Sequence, residues 1–270
     1  MFVQLSRLPN NFGVLARYRG ALPDPERASR DPDGLAGNCA DLSVPILCAA
    51  YAKGLYPGER GGRARWWAPS ARMVSFPETI YISERTRIEL RAKTFEVTFD
   101  RDFEAIVHGC DAFPGPRPGR TGIPSRLVDG HVALHEAGRA HSVEVWDATG
   151  RLAGGLFGVG VGKAFFIEAM HSRARGAAKA AFVTLSCHLE HWGFALIGGK
   201  RMSGELSQLG FMLVPRSVFN GLLEDACREP GREGNWAIDR ALDVSRWRPR
   251  LEAVTAKQVR GRSPELFTVL

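Results

Sequence analysis

The feature that most constrains this chain is the run Phe165-Phe166-Ile167-Glu168-Ala169-Met170-His171-Ser172-Arg173, followed at once by an alanine-rich stretch. Apolar residues lead into one carboxylate, and then Ala177, Ala180, Ala181, Thr184, Leu185 and His188 recur at helical spacing. The pattern predicts a strand at 163–168 feeding a helix over 174–192. In such a passage the partly free N–H groups and positive dipole end of the helix are expected to face Glu168, an arrangement common in acyl-transfer sites.

The rest of the chain reads in the same alternating way. Asp31-Pro32-Asp33-Gly34 forms a turn, and Asp41-Leu42-Ser43 caps a helix from Val44 to Lys53 that stops at Gly54. The glycine-rich segment 57–63 reads as a hinge. A strand at 72–76, a turn at Pro77-Glu78 and a strand at 80–83 suggest a hairpin, with a basic helix after it. Further on, a strand at 95–99, a helix at 101–109, a loop at 110–124 and a helix at 125–137 precede strands at 141–146 and 152–159. A strand at 194–197, a short helix and a strand at 211–214 close the sheet. The order implies an α/β (α+β) chain with a mixed central sheet. It divides into a small N-terminal domain (1–64), a larger domain (65–230) and a charged C-terminal extension (231–270), whose Trp236 and Trp247 stand isolated and so predict loose packing.

Composition bounds the function classes. With 270 residues, 44% of them hydrophobic, the chain can bury one substantial core plus a smaller unit. No apolar run reaches the length of a membrane span and residues 1–7 lack the order of a secretion signal, so a cytoplasmic, membrane-free protein is expected. Five cysteines with no CxxC pair argue against a disulfide framework or a thiolate zinc site. The formal charge of +7 suits a polyanionic partner, although thirty arginines against six lysines also fit a compositional bias.

Five segments stand in order along the chain: Val3-Gln4-Leu5-Ser6; Gly34-Leu35 through Asp41-Leu42-Ser43 to Ala50-Tyr51 and Gly54-Leu55-Tyr56-Pro57; Trp66-Trp67-Ala68-Pro69 with Arg72; Leu134-His135 through His141-Ser142-Val143-Glu144-Val145-Trp146; and the Glu168 run. Together they resemble the leucyl/phenylalanyl-tRNA-protein transferase family. The resemblance implies a GNAT-like acyltransferase domain behind the small N-terminal domain. It also implies transfer of Leu or Phe from an aminoacyl-tRNA to an amine acceptor such as a protein N-terminus, by a monomer without a cofactor or metal.

The same resemblance assigns residues. Glu168 matches the carboxylate that holds the substrate's amino group, and Leu156, Phe165 and Met170 match the donor side-chain pocket, with Trp67 beside it. The family's Asp and Gln relay falls at Gly198 and Lys200, and its two adenosine-stacking tryptophans fall at Gly58 and Gly122. Glycine has no side chain and a lysine ammonium only donates, so neither replacement does the same work. Ser203, Glu205 and Gln208 are the nearest substitutes for the relay, with Glu205 the best base, and Lys200 is an alternative phosphate contact. Arg85, Arg87, Arg91 and Lys93 form a basic stripe that either meets tRNA phosphates or is a solvated helix face.

Two other readings remain open. Arg173, Gly176 and Ala178 fit an R-x-x-G-x-A loop that would cradle the pyrophosphate of an acyl-CoA. Alternatively the scaffold is an inactive binding homologue. His131 with His135, and His188 with His191, lie on shared helix faces, but no carboxylate or thiolate completes a metal set in the sequence.

Overall fold

The computed structural model describes residues 22–112 and 125–250. A seven-stranded sheet forms the centre, in the spatial order β10-β4-β9-β8-β7-β6-β5. Its strands are β4 (Ala71–Ser75), β5 (Glu96–Phe99), β6 (Ala140–Trp146), β7 (Leu152–Val161), β8 (Ala164–Ser172), β9 (Leu196–Gly198) and β10 (Met212–Pro215). All neighbours run antiparallel except β8 and β9, which are parallel and joined through the long helix α5 (Ala177–His191). A parallel pair needs such a crossover, and the Ala-rich stretch supplies it. The mixed α/β class expected from the sequence is the one observed.

A smaller antiparallel sheet, β1 (Leu35–Asn38), β3 (Arg63–Trp67) and β2 (Tyr56–Arg60), lies before it. Here the segment expected as a hinge is a hairpin. Gly61 and Gly62 take φ of +61° and +72°, the two positive values that a tight hairpin turn demands, so the glycines turn a strand pair rather than loosen the chain. The boundary expected at residue 64 falls inside β3. The 72–83 hairpin is also absent: β4 pairs with β10 and β9, while Pro77–Thr79 is a 3-10 turn and Tyr81 donates its N–H to the carbonyl of Leu209.

Helix α1 (Val44–Ala52) begins one residue past Ser43, whose N–H is held by the Asp41 carboxylate at 2.7 Å, and ends as the sequence predicts, before Gly54. With α3 (Phe103–Ala112) and α4 (Ser125–Glu136) it covers one face of the sheet, while α5 covers the other. α2 (Glu84–Arg91) packs near α5, and α7 (Arg216–Ala226) follows β10. The glycines of β7 serve close packing: a Cβ on Gly155 would run into the Val143 carbonyl and the Ile106 side chain of α3.

The described part of the C-terminal extension overturns the expectation of loose packing. Trp236 is 2% exposed, stacks on His141 at 3.7 Å between centroids and donates its backbone N–H to the Asp100 carboxylate at 2.7 Å. It joins Phe165, Trp192 and Phe194 in one aromatic cluster. The segment carries no regular element, so no periodicity announced its burial. Residues 251–270 lie outside the described residues, as do Val3–Ser6 and Gly122 of the resemblance.

Candidate active site

The register of β8 builds the site. Phe157 of β7 faces Ala169 and Gly158 faces Ile167, so Glu168 is the extra residue of a β-bulge. A bulge leaves one residue unpaired and re-aims its side chain. On the other flank the parallel pairing ends at Phe166 and Gly198. Beyond it the chain stays with β4: Gly199 donates to the Met73 carbonyl at 2.7 Å, and the Met73 N–H donates to that of Lys200 at 3.3 Å. The strands therefore part, and Glu168 sits at the notch.

No helix start faces Glu168, contrary to the expectation from the sequence. β8 runs on to Ser172, and the carboxylate turns toward α1 and α4, away from α5. Its oxygen Oε2 accepts from Lys200 Nζ at 2.8 Å and lies 3.2 Å from His131 Nε2, with the side chain 4% exposed. The Lys200 ammonium also donates to the Glu168 carbonyl at 3.1 Å and rests 5.4 Å from the Tyr56 ring centroid. Burial alone would push the Glu168 carboxyl up, but the Lys200 charge and the His131 contact outweigh it and hold the group at about 2.

Tyr51 and His131 complete the cluster. The Tyr51 hydroxyl lies 3.2 Å from His131 Nε2, and burial, with Glu168 next, pushes the phenol well above its ordinary range. His131 Nδ1 lies 2.7 Å from the Leu127 carbonyl, which only accepts, so that nitrogen carries a hydrogen and Nε2 faces Tyr51 and Glu168. Beneath them the buried Arg72 guanidinium donates to the Gly199 carbonyl through Nε at 3.2 Å and Nη2 at 2.9 Å, and to that of Gly54 at 2.8 Å. Burial lowers Arg72 to about 10, which leaves it charged at neutral pH as the pin between the end of α1 and the segment carrying Lys200.

The other sequence-predicted residues fall in different places. Leu156 and Met170 stand opposite each other on β7 and β8, on the α5 side of the sheet and therefore across it from the carboxylate. Leu156 and Phe165 are wholly buried, Phe165 against Trp236, whereas Met170 is partly exposed. Trp67 lies in β3 under the Arg201 guanidinium, 4.8 Å from its centroid. Ser203 caps the short helix α6 (Gly204–Ser207) through the Leu206 N–H, and Glu205 and Gln208 are exposed on that turn. The groups gathered at Glu168 are instead Lys200, His131 and Tyr51. His131 was legible only as half of a histidine pair. Its supposed metal partner His135 stacks on Phe103 and bonds the Ala140 carbonyl, and no metal-binding group of three or more ligands occurs among the described residues.

On α2, Arg85 pairs with Glu89 at 2.8 Å and Arg91 with Glu84 at 3.7 Å, while Arg87 is buried and donates to the Trp247 carbonyl. Of the stripe, Lys93 lies just past the helix, exposed. At the start of α5, a Cβ on Gly176 would meet Glu89 Oε2 at 2.5 Å, and the Ser172 hydroxyl takes the Ala178 N–H at 2.8 Å. Arg173 is exposed beside them.

Comparison with known proteins places the chain. The family model for leucyl/phenylalanyl-tRNA protein transferase matches residues 74–224. A leucyl/phenylalanyl-tRNA–protein transferase of Pseudomonas fluorescens is 40% identical over 223 residues, covering 82% of this chain and 97% of that one. The enzyme of the same name from Solidesulfovibrio magneticus is 38% identical over 238 residues (87% and 95%), and that of Syntrophus aciditrophicus is 41% identical over 206 (76% and 86%). This chain belongs to the leucyl/phenylalanyl-tRNA protein transferase family.

Proposed function

We propose that the protein transfers an amino acid, Leu or Phe in the family, from an aminoacyl-tRNA to the amine of an acceptor such as a protein N-terminus. The observation that carries this reading is the ionised Glu168 carboxylate, buried at a bulge where a parallel strand pair separates. That strand separation also supports a GNAT-like scaffold. A tRNA donor places the reaction in the cytoplasm, and a monomer supplies the whole Glu168 cluster.

In the reaction the acceptor amine attacks the ester carbonyl, a C–N bond forms, the C–O bond to the tRNA ribose breaks, and a proton passes from nitrogen to the leaving oxygen. The ester is already activated, so the site has to position the amine, take its proton and steady the oxyanion. Glu168, held near 2, is an anchor for cations rather than a base at neutral pH. In this chain Lys200 supplies an ammonium to it from within, and an incoming amine has to share or displace that contact. Proton movement is left to His131 Nε2, which lies 3.2 Å from both Tyr51 Oη and Glu168 Oε2.

Glu89 of α2, lying against Gly176 at the start of α5, disfavours the acyl-CoA alternative, because a carboxylate stands where a pyrophosphate would have to bind. The internal Lys200 contact favours, as a second reading, a homologue that binds but does not turn over. Incubation with total charged tRNA and, separately, with acetyl-CoA, each with an Arg-initiated peptide, tests all three. Aminoacyl-peptide from tRNA alone is expected. Acetyl-peptide would overturn the reading, and saturable tRNA binding without product would establish the binding homologue.

A further inference from the structure

We infer that one face of the β2–β3 hairpin is a track for the sugar–phosphate backbone of RNA, leading from the Glu168 site outward; the inference rests on the aminoacyl-tRNA reading above. In the hairpin Tyr56 stands opposite Trp67, Gly58 opposite Arg65 and Arg60 opposite Arg63. Residues two apart along a strand share a face, so these three rungs lie on the same side. Asn38 of β1 extends the middle rung beside Arg65. At about 3.3 Å per residue, the track spans about 13 Å from its inner to its outer rung.

The inner rung adjoins the site. Tyr56 carries the Lys200 ammonium and Trp67 carries the exposed Arg201 guanidinium. The outer rungs hold three guanidiniums. None of Arg60, Arg63 and Arg65 makes an ion pair or side-chain hydrogen bond among the described residues. Glu59, the hairpin's one carboxylate, alternates to the other face, where it accepts from the Gly62 N–H.

Like charges directly opposite each other in a strand pair are destabilising, and the Arg60–Arg63 rung maintains that cost with no internal counter-charge. A polyanion removes it. RNA fits better than an acidic peptide because the charged rungs end on a stacked aromatic–guanidinium pair, and an exposed guanidinium plane can receive a base. Gly58 belongs to the same device. A Cβ there would come within 2.8 Å of Trp67 Cδ1, so the glycine lets the indole lie flat across β2. The hairpin thus offers backbone contacts and a base platform on one face.

The test is tRNA binding by fluorescence anisotropy across a salt series, with uncharged tRNA as the probe and the full chain carrying Arg60→Gln, Arg63→Gln and Arg65→Gln together. Single-strand phosphate contacts each contribute about 0.7 to the slope of log K against log salt, so the triple variant should lose about 2 from that slope and about 10- to 100-fold in affinity at low salt. The Arg→Lys triple variant should keep the slope. A control that removes the same charge from Arg228, Arg246 and Arg248 should also keep it, and melting curves should show all three variants folded. An unchanged slope in the Gln variant, or an equal loss in the control, would overturn the track while leaving the transferase reading intact. Competition by polyglutamate as effective as by single-stranded RNA would overturn the commitment to RNA. Absence of tRNA binding by the unmodified protein would overturn the function itself, and the track with it.

Discussion

Glu168→Gln is the perturbation that separates the electrostatic role of this carboxylate from its shape. The carboxyl titrates at about 2 in the folded chain against an ordinary 4.5. That difference corresponds to about 3 kcal/mol of folding stability at neutral pH. The folded value is the lower one, so this contribution is complete above the unfolded value of 4.5 and is lost as pH falls through about 2. Glutamine keeps the volume and can still accept a hydrogen bond. The partly exposed Lys200 can turn to water, which avoids an uncompensated buried ammonium. Urea unfolding followed by circular dichroism between pH 2 and 7 should therefore show the variant about 3 kcal/mol less stable at pH 7, with the two proteins converging near pH 2 and below. Transfer should be abolished in the folded variant. Parallel stability curves across the whole range would refute the ion-pair account, and unchanged turnover would reduce Glu168 to a structural residue.

Trp236→Ala should cost about 3–5 kcal/mol in urea unfolding because it empties the aromatic cluster around His141 and Phe165; a loss within 0.5 kcal/mol would mean that the extension is dispensable packing. Gly58→Trp should destabilise by about 1–3 kcal/mol without raising tRNA affinity, since its Cβ displaces Trp67; tighter binding measured by anisotropy would show that the hairpin accepts a second indole here. Gly198→Asp with Lys200→Gln should lower aminoacyl transfer onto an Arg-initiated peptide below that of the unmodified protein. A Cβ at 198 lies 3.0 Å from Phe166 Cδ1 and 3.4 Å from Phe219 Cζ, and the change also removes the Lys200 contact with Glu168, so transfer equal to or above that of the unmodified protein would refute this packing argument.

Much of this architecture was legible because its signals are local. The Ala-rich crossover helix, the helix start after Ser43 and the stop at Gly54 each announce themselves within a few residues and lie where expected, although the Asp41 carboxylate binds the Ser43 N–H ahead of the helix instead of capping its first turn. The failures concern pairing and aim. Gly61-Gly62 carries the same composition in a hinge as in a hairpin turn, and only the strand partners decide. The bulge at Glu168 is a register event between β7 and β8, invisible to an alternation count, yet it sends the carboxylate to His131 and Tyr51 instead of to the start of α5. Ser203 and Glu205 are substitutes for a relay only by nearness along the chain: the Ser203 hydroxyl is engaged in capping α6 and Glu205 is exposed. His131 could not be chosen over the other histidines, because its partners come from residues far away along the chain.

Gly198 and Lys200 act as one unit when charge and volume are followed together. An ammonium at 200 reaches Glu168 through a notch that exists because β9 leaves β8 at Gly198. With a carboxylate at 198, two acids would share this buried corner, and Lys200 would be divided between them. With glycine there, Phe166 and Phe219 close over the backbone and the single carboxylate is matched by the single lysine. Arg72 fixes the geometry from below by holding the Gly199 carbonyl, so the lysine is delivered by a pinned backbone and not by a mobile loop. The buried Glu168 charge is thus already balanced by an ammonium from within the chain. Any amine that reacts here must compete with Lys200, and acceptors whose amine is already neutral at working pH should be favoured over those that arrive charged.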